Sequence, residues 1–111
     1  MPTIIGVVRR VRDREESCKF YEILGLNINT HSHGGPVHSE IGPSSREFVV
    51  EAYKQSERFP GDALMVEIEN LKSTLLKLLR AGITPWVVLE EDKIVYVKDP
   101  DGADVMLIQS K

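Results

Sequence analysis

Three histidines stand close together in this 111-residue chain: His31, His33 and His38 fall within eight positions. Imidazole is the commonest metal ligand, so the cluster raises the question of a metal site. His31 and His33 belong to the run His31-Ser32-His33-Gly34-Gly35-Pro36, whose composition reads as a polar loop. His38 falls on a predicted strand, where it can line a cavity mouth. Glu51 is the other group with chemistry to offer. A carboxylate in an apolar pocket has a raised pKa and can move a proton without a metal; paired with Arg10 it would be inert. Cys18 is the only cysteine. It excludes an intrachain disulfide and a cysteine zinc cluster, and on a predicted helix it reads as a packed residue. Serine elbow, phosphate loop and Cys-x-x-Cys patterns are missing, so nucleophilic catalysis has little support in the sequence.

The elements that must position these groups come in two copies. Asp13-Arg14-Glu15-Glu16-Ser17 with Leu24-Gly25 is answered, 57 positions on, by Asn70-Leu71-Lys72-Ser73-Thr74 with Ala81-Gly82. Each segment opens on a capping residue and closes on glycine, the pattern of a helix. Glu16 completes a capping box with Asp13. Phe20, Tyr21 and Leu24 supply the apolar face of the first helix. Leu71, Leu75, Leu78 and Leu79, at i, i+4, i+7 and i+8, supply that of the second. Strands are predicted at Ile4–Val11, Leu26–Thr30, Val37–Ile41 and Glu47–Tyr53, and again at Ala63–Ile68, Pro85–Leu89, Lys93–Lys98 and Val105–Gln109. Gly42-Pro43-Ser44-Ser45, Glu90-Glu91-Asp92 and Asp99-Pro100-Asp101-Gly102 read as turns, the last with the type I preference. Gln55–Asp62 is a linker. Each half is therefore β-α-β-β-β, and the chain is α+β: one domain, 1–111, of two repeated modules at about 1–56 and 60–111.

Composition bounds the partners. A net charge of −3 argues against nucleic acid or an acidic membrane surface. The cluster Arg9, Arg10, Arg12 and Arg14 is interleaved with Asp13, Glu15 and Glu16. No leader and no apolar run near 18 residues is visible, so the expected location is the cytoplasm.

With its repeat, Phe20-Tyr21 and Leu24-Gly25 near the start, and Asp99-Pro100-Asp101-Gly102 near the end, the chain resembles the vicinal oxygen chelate superfamily. That group includes glyoxalase I, methylmalonyl-CoA epimerase, extradiol dioxygenases and bleomycin-resistance proteins. The resemblance implies two βαβββ modules forming a U-shaped mixed sheet around a cavity, usually in a homodimer. It also implies four metal-ligand positions, on the first and last strand of each module. By register these fall on Gly6, Glu51, Ala63 and Met106. Glycine and alanine have no donor atoms, and a thioether suits hard or borderline dications poorly. One carboxylate cannot hold a metal by itself, so the sequence predicts no metal and no cofactor.

Alternation along the strands puts Gly6, Val8 and Arg10 on one face with Val49, Glu51 and Tyr53, and Met65 with Met106. The expected ligand-binding set is Val8, Arg10, Val49, Glu51, Tyr53, Met65, Trp86 and Met106. Arg10 stands where some glyoxalases carry a carboxylate-binding arginine; it can equally pair with Glu51, Glu67 or Asp104. Trp86 can stack on a planar ligand, pack inside the fold or meet a second subunit. Arg9 falls on the helix-facing side, its guanidinium reaching solvent at a sheet end. The reading is a metal-free protein that sequesters a partly apolar, aromatic or anionic small molecule, as bleomycin-resistance proteins bind without chemistry. Its alternative is a lyase, isomerase or dioxygenase with a non-standard site on Glu51 and His38, and only this alternative calls for a divalent metal. A third reading is an interaction module whose cavity is filled by side chains.

Overall fold

The computed structural model describes residues 2–32, 35–42, 48–91 and 93–111. His33, Glu47, the turn at 43–45 and Asp92 lie outside them. The chain divides into two units: one is Gly6–Asp62, the other Ala63–Lys111 with the residues before Gly6.

The first unit is built on β1 (Thr3–Val11), α1 (Arg14–Ile23), β2 (Asn27–His31), β3 (His38–Gly42) and β4 (Val49–Lys54). Its strands lie in the order β2-β3-β4-β1, with β1 and β4 parallel and the other pairs antiparallel. The second unit repeats the plan with β5 (Ala63–Ile68), α2 (Leu71–Arg80), β6 (Val87–Leu89), β7 (Ile94–Lys98) and β8 (Asp104–Gln109), in the order β5-β8-β7-β6. Here β5 and β8 are the parallel pair. Both units are thus βαβββ, and the α+β class stands.

The helix ends follow the sequence signals. Asp13 Oδ1 accepts the Glu16 backbone N–H at 3.1 Å, and Asn70 Oδ1 accepts that of Ser73 at 3.0 Å, which satisfies one otherwise orphaned donor in each first turn. Gly25 and Gly82 close the helices at φ 93° and 82°, in the left-handed region that glycine enters without a Cβ penalty. At the 99–102 turn, Asp99 Oδ1 accepts the N–H groups of Asp101 and Ala103, both at 2.9 Å.

Packing corrects three details. Cys18 is the buried residue of α1, while Phe20 and Leu24 are more than half exposed. In the second unit Ile68, Leu71, Val95, Val97 and Leu107 form the core, flanked by Leu75 and Leu78, yet Leu79 is half exposed. A helix buries only the arc that its sheet covers, and Leu79 lies on the rim of that arc. The third concerns His31. It belongs to strand β2 and not to the loop, because its backbone pairs opposite His38. Among the described residues no helix is long and apolar enough to cross a membrane.

Candidate functional site on the first unit

Residues directly opposite each other in a sheet share a face. In the first unit the register aligns His31, His38, Tyr53 and Arg10 in one row across β2, β3, β4 and β1. The adjacent row on the same face is Asn29, Glu40, Glu51 and Val8. A third pairing brings Val49 opposite Gly6. So Val8, Arg10, Val49, Glu51 and Tyr53 do share one strand face, with His31 and His38 beside them.

The first row is a continuous run of ring and cation contacts. His31 and His38 have centroids 4.5 Å apart, and His38 stacks on Tyr53 at 4.7 Å, their planes 13° from parallel. The Arg10 guanidinium carbon lies 4.7 Å from the Tyr53 centroid and 4.4 Å from that of Phe59, within cation–π range of both. The linker supplies Phe59. Gln55 N–H bonds to the Val11 carbonyl at 2.7 Å, and a tight turn at Ser56 accepts the Phe59 N–H on its hydroxyl at 3.1 Å. Nothing in the pattern of 55–62 marked Phe59, since the expected role of that segment was only to connect.

Asp62 fastens the other end of the linker. One carboxylate oxygen pairs with the Arg9 guanidinium and the other accepts the Arg10 N–H at 2.8 Å. Arg9 is therefore ion-paired at the sheet margin. Burial opposes its charge, but Asp62 and a hydrogen bond to Tyr21 outweigh that and hold its pKa above the ordinary value. On the helix side of the sheet, the fully buried Ser39 hydroxyl meets Thr30 Oγ1 and the Arg14 guanidinium, each at 2.8 Å.

His38 is buried and doubly oriented. Its Nδ1 lies 3.2 Å from the Pro36 carbonyl and its Nε2 lies 3.5 Å from Glu51 Oε2. A carbonyl only accepts, so Nδ1 carries the proton and donates. Nε2 is thereby turned to the carboxylate.

Trp86, Met65 and Met106 belong to the second unit. Met65 and Met106 are buried and directly opposite each other. Lys98 Nζ lies 4.5 Å from the Trp86 ring centroid and 2.6 Å from the buried Asp104 carboxylate. Tyr96 meets Trp86 edge-on, with centroids 5.9 Å apart. Trp86 is thus packed against Lys98 and Tyr96.

The four positions implied for a metal do not fit one. Glu51 is opposite Val8 and Met106 is opposite Met65, so neither strand partner supplies a hard donor. Gly6 is closed to any side chain: a Cβ there would stand 2.1 Å from the Val49 carbonyl oxygen.

Solved structures with this architecture span the whole chain. A glyoxalase/bleomycin resistance protein/dioxygenase superfamily member from Vibrio splendidus 12B01 matches with a TM-score of 0.69 at 12% identity, over 99% of this chain and 100% of its own. The chain has the glyoxalase/bleomycin-resistance/dioxygenase fold. Methylmalonyl-CoA epimerase from Mycobacterium tuberculosis shares that fold with a TM-score of 0.66 at 15% identity, over 97% of this chain and 87% of the epimerase. So does a hypothetical protein from Bacillus halodurans C-125, with a TM-score of 0.75 at 11% identity, over 99% and 95% of the two chains. No protein-family model matches the sequence, and the search of curated proteins finds no match. The superfamily fold accommodates enzymes such as the epimerase, so the scaffold leaves the activity to the side chains it carries.

Proposed function

We propose that the chain binds a small, partly apolar organic anion, aromatic carboxylates being the favoured class, and does so without a metal at the superfamily positions. The observation that supports this reading most is the Arg10 guanidinium packed on Tyr53 and Phe59. Aromatic packing on its faces orients the fork of N–H donors, which matches a carboxylate edge-on. Val8 and Val49 add apolar surface on the same strand face, the usual mix of a small-molecule site. Met65, Trp86 and Met106 remain candidates from the second unit, and the proposal does not rest on them.

Thermal unfolding with benzoate in the presence of EDTA tests it. A ligand that binds only the folded state adds about 2.7 kcal/mol at a hundredfold excess over its Kd. Wild type is expected to gain stability with benzoate and Arg10→Gln to lose most of that gain. Equal gains in both proteins, or none in wild type, would refute the assignment.

The second reading, a lyase, isomerase or dioxygenase, draws on the 3.5 Å approach of His38 to Glu51. A His38→Ala/Glu51→Ala variant with unchanged turnover would remove it.

A further inference from the structure

We propose that His31, His38 and Glu51 form a binding site for a divalent first-row transition ion of the zinc or cobalt type. It shares Glu51 with the positions the superfamily implies and takes its other two donors from β2 and β3 in place of Gly6, Ala63 and Met106. One donor atom from each of the three residues lies within 4.8 Å of the others. Two imidazoles and one carboxylate are a donor set that borderline dications favour, with coordination positions left open. Metal–donor bonds of about 2.0–2.2 Å place tetrahedral donors about 3.3–3.6 Å apart. His38 Nε2 and Glu51 Oε2 already stand at 3.5 Å.

The orientation of His38 carries the argument further. Its Nδ1–H is directed at the Pro36 carbonyl, the outer-shell contact that fixes the tautomer of metal-binding histidines. With the proton on Nδ1, a neutral ring points the Nε2 lone pair at the Glu51 carboxylate. A metal ion between these two electron-rich groups would engage both at once. His31, its ring tilted against that of His38, supplies the third donor. Sheet register builds the site: His31 and His38 are directly opposite, and Glu51 is two residues along β4 from Tyr53, the partner of His38.

The site shares Glu51 with the proposed ligand-binding face, and its test uses the metal alone. Metal-stripped protein is dialysed against micromolar Zn²⁺, and bound metal is counted in wild type, His31→Ala and Glu51→Gln, each checked for folding by circular dichroism. One equivalent is expected in wild type, weakened more than roughly tenfold in each variant, by the scale on which even outer-shell changes act. No zinc retained by wild type would overturn the proposal. So would undiminished binding by Glu51→Gln, which would remove Glu51 from the donor set. X-ray absorption of the Co²⁺-loaded wild type needs no variant. Two imidazoles with a carboxylate oxygen are expected; one imidazole or none would contradict the site.

Discussion

The Val49 carbonyl oxygen occupies the space where Gly6 would carry a side chain: a Cβ built on Gly6 meets it at 2.1 Å. Because the obstacle is backbone, a substituent can be accommodated only by moving β1 against β4. Gly6→Ala is expected to destabilise the protein by about 1–3 kcal/mol, the usual cost of overpacking, measured by urea unfolding. Gly6→His is expected to lose at least as much and to gain no metal affinity. An unchanged midpoint for Gly6→Ala would show that the strands separate at no cost there.

Phe59 is a positioning residue for Arg10. A cation–π contact is worth about 0.5–2 kcal/mol, so Phe59→Ala is expected to weaken benzoate binding by roughly 2- to 30-fold. Phe59→Tyr should restore it. Calorimetric titration of the three proteins checks this, with circular dichroism confirming that the fold is retained.

Ser39 ties β2 and the start of α1 to the sheet through Thr30 and Arg14. Ser39→Ala leaves both polar partners without that hydroxyl in a site closed to water. A loss of about 1–3 kcal/mol is expected from the desolvation of groups left unsatisfied. A loss within a few tenths would show that Thr30 and Arg14 satisfy each other.

We propose that the chain forms a homodimer. Among the described residues, β2 and β6 each pair on one side within their own units, and an edge strand is a ready surface for pairing. Light scattering at micromolar concentration should give twice the 12.5 kDa chain mass, about 25 kDa. A mass of one chain would remove the dimer.

The two helices, their caps at Asp13 and Asn70, and the Asp99 turn were legible because each depends on contacts within a few residues. The sidedness of β1 and β4 was legible too, since alternation is a property of one strand. Register between strands is not. It depends on which backbone meets which, so His31 read as loop and its place opposite His38 was invisible. Leu79 fits a helical stripe as well as Leu75 does; only the width of the covering sheet separates them. Phe59 lies in a segment without periodicity, held by two turns and Asp62, and no local pattern announces that geometry.

In the proposed function the β1–β4 strand face of the first unit is where an organic anion binds. An amide-resolved NMR titration with benzoate in EDTA is the decisive measurement. Shifts are expected to concentrate on Val8, Arg10, Glu51, Tyr53 and Phe59 and to disappear in Arg10→Gln. Shifts confined to the apolar groove between α2 and β6, lined by Leu71, Leu75, Val88 and Ile94, or shifts unaltered by Arg10→Gln, would contradict it.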